Sequence, residues 1–157
     1  LLFPGFCGTT QPMNLPLSPL LSASIGIQIA CQVFKVVYYS LREGKLNGWY
    51  FFSAGGIPSA HAAFVSSLTL GIGLRAGFDS DLFAVAFVFT AIVIYDAFRL
   101  RGAVETHAKL LNRLTSRHFP EEHKSLNERI GHTLGEILGG ILVGGGLMLI
   151  LHGMALI

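Results

Sequence analysis

Lys35, His61, Asp96, Arg101, His132 and Glu136 are ionisable, and each stands at or near the end of an apolar run. Such groups are costly in hydrocarbon and face a bundle interior or a wet cavity, so a set of them in one layer points to a site. Two histidines can divide the work on a phosphate ester. One attacks phosphorus in line and the other protonates the departing oxygen. Glu136 follows His132 by one helical turn, which lets its carboxylate hold the ring in one tautomer and stabilise its cation. Lys35, Arg101 and either Arg129 or Arg42 supply charge-assisted bonds to phosphoryl oxygens, and a helix opening at Pro58 adds free backbone amides. The scheme calls for no metal and no other cofactor.

These residues must be positioned by membrane elements. The chain has 157 residues, of which 52% are hydrophobic and 13% charged, with a mean hydropathy of +0.59. That is too apolar for an ordinary soluble domain and excludes a nucleic-acid binder built on basic surface. The expected fold is all-α: a polytopic membrane helix bundle of about four transmembrane helices, a re-entrant or interfacial segment and an amphipathic loop helix. Residues 1–16, rich in Pro and Gly, read as an N-terminal loop, and residues 17–157 as a single membrane domain. The expected spans run from about Leu17 to Tyr39, Ser59 to Arg75, Leu82 to Leu100 and His132 to Ile157. Trp49, Tyr50, Phe51 and Phe52 suit the interface. Residues 105 to 129 carry charge at helical spacing, with Ala108, Leu111 and Leu114 as an apolar stripe.

Charge orients the spans. Arg42, Lys45, Arg99, Arg101, Lys109, Arg113, Arg117, Lys124 and Arg129 fall on the face where the first span ends, here side A; side B holds Arg75 beside Asp79 and Asp81. The positive-inside tendency makes side A cytoplasmic, stromal or matrix, with both termini on side B. All six ionisable residues then converge on the side-A leaflet.

At these residues the chain resembles a known family. "GGIPSAHAA", "YDAFRLRGAVETHAKLLN" and "IGHTLGEILGG" are similar to the signature blocks of the divergent type 2 phosphatidic-acid phosphatase family, membrane proteins related to acid phosphatases and vanadium haloperoxidases. The resemblance implies a lipid-phosphate phosphatase-like hydrolase in which Lys35 binds phosphate and Ser59 and its amide neighbours cradle phosphoryl oxygens. It makes His61 the general acid and His132 the nucleophile supported by Glu136. It also implies a bacterial inner membrane or a plastid membrane, with membrane lipids as surroundings and a lipid phosphate as the possible substrate. Four positions depart from the pattern: Ala60 replaces a second Ser, Arg99 a Gly and Leu134 a Pro. Leu126 stands where the parent superfamily has an arginine, leaving Arg129 as the nearest substitute.

Plainer readings stand beside these. His61 can cap its helix, and Lys35 can snorkel to the side-A surface. Asp96 and Arg101 are read as a structural ion pair, Cys7 and Cys31 as packing residues, and His118 and His123 as solvated. Gly140-x3-Gly144 reads as a close helix-packing face. Two functions follow: a membrane enzyme hydrolysing or transferring phosphate through a His nucleophile, or a non-catalytic structural subunit of a larger respiratory or photosynthetic complex. Either suits a homo-oligomer or a larger assembly.

Overall fold

A computed structural model describes residues 17–46, 48–51, 55–119, 125–128 and 130–157. The N-terminal loop assigned to residues 1–16, with Cys7, lies outside the described residues, as do Phe52, His123, Lys124, Arg129 and the side chain of Trp49.

The first helix, α1, runs over Pro19–Glu43. It opens on a proline, which brings a preset φ and lacks only an N–H that no helical partner would have bonded. It closes on Gly44, whose φ of +67° only glycine adopts freely and whose N–H bonds the Ser40 carbonyl. Leu20, Ser24, Ile27, Cys31 and Lys35 are buried at steps of three and four, one face of the helix, while Ile29, Val33, Phe34 and Val37 stay exposed. Apolar side chains turned outward are what lipid requires. A short 3₁₀ turn, Gly48–Phe51, follows where the interfacial segment was expected.

Helix α2, Ala60–Ala76, is central. Ala60, Ala62, Ala63, Val65, Ser67, Thr69, Gly71 and Gly73 are all buried, and α1, α3 and α5 pack around them. Small residues let neighbouring backbones approach, and where lipid is as apolar as leucine, close packing is the main attraction between helices. Helix α3, Asp81–Tyr95, docks on α2 by hydroxyls: Thr69 Oγ1 lies 2.7 Å from Thr90 Oγ1, and Thr90 also donates to the Val65 carbonyl at 3.2 Å. Helix α5, Leu134–Gly153, crosses α2 through Gly140 and Gly144. A Cβ on either would collide with the backbone of Ser59 or Ala63, so the packing face expected of this pair is realised.

Two expectations change. Residues 81 to 118 form one helical stretch: α3 passes through a π-helical turn, Asp96–Leu100, into α4, Arg101–His118. No residue in "FRLRGAV" breaks a helix strongly, so the span and the amphipathic helix fuse; beyond Phe119 the described residues 125–128 and 130–133 are not helical, so the loop helix does not reach 129. Among the described residues three helical stretches, rather than four, are long and apolar enough to cross a membrane: Pro19–Glu43, Asp81–His118 and Leu134–Gly153. With 17 residues α2 falls just short, spanning about 25 Å within a sleeve of longer helices.

Candidate functional site

The site is assembled where the starts of α2 and α5 meet. Ser59 caps α2, its Oγ accepting from the Ala62 N–H at 3.4 Å, and its own N–H donates to the Glu136 carbonyl at 3.0 Å. Thr133 caps α5: its hydroxyl accepts from the Glu136 N–H at 3.3 Å while the Glu136 carboxylate accepts from the Thr133 N–H at 3.0 Å. This reciprocal box satisfies two helix-end amides and fixes the Glu136 side chain.

The other Glu136 contacts reach Gly56 and His132. Oε1 accepts from the Gly56 N–H at 3.2 Å, and Oε2 lies 3.1 Å from His132 Nδ1. The far ring nitrogen, His132 Nε2, lies 3.3 Å from Ser59 Oγ. Glu136, His132 and Ser59 thus form one hydrogen-bonded chain joining α5 to α2. A carboxylate facing Nδ1 selects the tautomer with the proton there, which leaves the Nε2 lone pair toward Ser59. Ser59 is fully buried, and the His132 side chain is 1% exposed. His132 precedes the span that begins at Leu134. Burial pushes its ring below the ordinary histidine range, against the upward pull of its Glu136 bond and with help from the Lys35 charge.

His132 is registered by the long helix beside it. Asn112 grips the returning chain twice at Leu126, accepting from its N–H and donating to its carbonyl, at 2.8 and 2.9 Å, and donates to Glu128 at 2.8 Å. Glu105 accepts from the Gly131 N–H at 3.0 Å, and the Ala97 carbonyl, in the π turn, accepts from the His132 N–H at 3.2 Å. Gly131 passes against Gly102 so closely that a Cβ there would lie 2.9 Å from the Gly102 Cα.

Lys35 lies within electrostatic reach of Glu136 and His132, and is 1% exposed, so it does not snorkel to the surface. His61 is half-buried, in the first turn of α2, within electrostatic reach of Arg101, His132, Lys35 and Asp96. Its helix is capped by Ser59. Arg101 Nε and Asp96 Oδ2 pair at 2.8 Å, both about one-third exposed. Arg129 lies outside the described residues. A cleft of about 270 Å³, lined among others by Tyr39, Gly56, Glu105, Thr133 and Glu136, lies directly against the chain of hydrogen bonds. Among the described residues no cluster has the make-up to hold a metal ion.

Sequence reasoning passed over several positioning groups. The Thr133-x2-Glu136 spacing is a capping-box signature and was available to find the α5 start. Gly56, Asn112 and Glu105 had no local signal, since each acts on a residue far along the chain.

The chain matches the divergent PAP2 family over residues 17–147. It is 36% identical over 140 residues to YuiD, an uncharacterized membrane protein of Bacillus subtilis (strain 168), covering 80% of this chain and 88% of that one. No solved structure matches it.

Proposed function

The chain is a membrane protein that belongs to the divergent PAP2 family, and on that premise we propose that it hydrolyses a lipid phosphate through His132. The carrying observation is the hydrogen-bonded chain from Glu136 through His132 to Ser59. With Nδ1–H held by Glu136, Nε2 attacks phosphorus and the bond from phosphorus to the lipid oxygen breaks. That oxygen takes a proton from His61, leaving phosphohistidine and a lipid alcohol. Water then attacks phosphorus, passes a proton to His61 and releases phosphate, restoring His132. Lys35 and Arg101 offset charge on the phosphoryl oxygens, and Ser59 swings its hydroxyl from Nε2 to one of them. The site opens on side A, the bacterial cytoplasm or the plastid stroma.

A second reading has its own observation. Nε2 is already engaged by Ser59 and the ring is almost fully buried, as suits a polar staple in a structural subunit of a larger assembly. Phosphate release from phosphatidic acid by the purified protein separates the two. Under the enzymatic reading His132→Ala abolishes release with helix content retained, and His61→Ala slows it by about 10²-fold. Release that survives in His132→Ala ends the phosphatase reading, and a wild type that releases nothing supports the structural one.

A further inference from the structure

A second cavity, of about 340 Å³, lies between α1 and α5 on the face turned to the bilayer. Cys31, Pro58 and Gly139 form its floor, and Phe34, Val143 and Leu147 its walls. Cys31 and Pro58 are buried, whereas Phe34 is 52% exposed, so the floor is closed while the side toward the membrane is open. Gly139, Val143 and Leu147 fall at successive steps of four on α5, so the groove follows the span for about 12 Å.

One end of the groove adjoins the polar site along the chain on all three elements that bound it. Phe34 precedes Lys35, Pro58 precedes Ser59, and Gly139 lies one turn beyond Glu136. An occupant must therefore be apolar along the groove and anionic at its end, where the buried Lys35 has no ion-pair partner among the described residues. We infer that this groove holds one acyl chain of the amphiphile whose phosphate group sits among Lys35, Ser59 and His132, so that the lipid enters sideways between α1 and α5. The inference rests on the phosphate site proposed above and adds the route and the tail subsite. A tail leaving bilayer hydrocarbon for an apolar lining gains little by the move, so the groove orients the phosphate and leaves affinity to the charged end.

Gly139 gives a clean test, because a Cβ there would meet no atom within 4 Å. Gly139→Leu fills the groove from the floor and leaves the helix packing alone. The probe is a single-chain acylglycerol phosphate with a diazirine in the upper third of its chain, set against the same acylglycerol without phosphate, in phosphatidylcholine nanodiscs. After photolysis the phosphate-bearing probe labels the α1 segment from Cys31 to Phe34 and the α5 segment from Val143 to Leu147. The neutral probe labels them less. Gly139→Leu loses the α1 labelling while still releasing phosphate from water-soluble p-nitrophenyl phosphate at the wild-type rate. Equal labelling by the two probes marks ordinary lipid contact and overturns the inference, as does α1 labelling unchanged in Gly139→Leu. Because labelling reads binding without turnover, a labelled groove in a protein that releases no phosphate sustains the groove and removes the hydrolysis. Release from the phosphate-bearing probe without groove labelling does the reverse.

Discussion

Two glycines on α5, two residues apart, should respond to the same substitution with opposite signs. Gly144 rests on α2: a Cβ there would lie 2.7 Å from the Ala63 Cα and 2.8 Å from its carbonyl carbon, both backbone atoms of a buried helix. Ordinary carbon contacts begin near 3.5 Å, so Gly144→Ala forces α5 outward by several tenths of an ångström. Overpacking of that kind costs about 1–3 kcal/mol. Gly146 has nothing within 4 Å of its Cβ position. Gly146→Ala meets no obstacle and gains helix propensity of up to about 1 kcal/mol. Thermal unfolding in detergent, followed by circular dichroism, therefore places Gly144→Ala below the wild type and Gly146→Ala at or above it. Equal shifts in the two variants, or a stabilised Gly144→Ala, would refute the α2–α5 contact. Since Gly140 and Ser59 share that interface, the argument for the site would fall with it.

Three further outcomes are expected. Cysteines placed by Ser80→Cys and Ser125→Cys should be labelled by membrane-impermeant maleimide from opposite sides of the membrane; labelling of both from one side rules out the topology. Burial holds His132 below the ordinary histidine range near 6.5, so the ring stays neutral at pH 7 and the acid limb of kcat/KM for lipid phosphate should lie below that value. The same shift means that stability from the neutral ring is complete above the unfolded-state pKa and is lost as pH falls through the folded one, a loss His132→Ala should lack. Asn112→Ala removes both Leu126 bonds and the Glu128 bond, so exchange of the Leu126 amide should quicken by roughly tenfold, the equivalent of one part-buried hydrogen bond lost; unchanged exchange would show that the return segment is held otherwise.

The helices were legible because their signals are local. Pro19, Ser59 and Ser80 begin helices and Gly44 ends one, Pro19 through its fixed φ and the other three through bonds made within a turn of themselves. Asp96 and Arg101, also close in sequence, form the ion pair their spacing suggested. The fused helix was missed because Gly102, a weak breaker between Leu100 and Glu105, is tolerated within it, and because the π turn has no composition of its own. The Glu136–His132 contact was readable from an i, i+4 spacing, whereas the Ser59–His132 contact joins residues 73 apart and was not anticipated, the motif resemblance giving the two only separate roles toward a phosphate. Gly56 and Asn112 act across 80 and 14 residues, and nothing in their surroundings in the sequence says which amide or carboxylate they will meet.

The packing face and the chemical site turn out to be one surface. Gly140 lies against the Ser59 carbonyl, the Ser59 N–H is bonded to the Glu136 carbonyl, and Glu136 is the first-turn residue of the helix that carries Gly140. A displacement of α5 that relieves a side chain at Gly140 must therefore stretch the Ser59–Glu136 bond and move His132 away from Ser59 Oγ. It follows that loss of phosphate release in a Gly140 variant reports separation of the helices, while the same loss in Glu136→Gln reports the proton on His132. The amide of Gln offers one acceptor oxygen where the carboxylate offered two. Set toward Thr133 and His132, that oxygen keeps Nδ1 protonated but points an NH₂ at the Gly56 N–H; set toward Gly56, it turns the NH₂ to Nδ1 and drives the proton to Nε2. Nitrogen shifts of labelled histidine distinguish the two tautomers. An enzymatic His132 requires release to fall with the fraction protonated at Nε2; release that is indifferent to that fraction would leave His132 as a staple between α2 and α5.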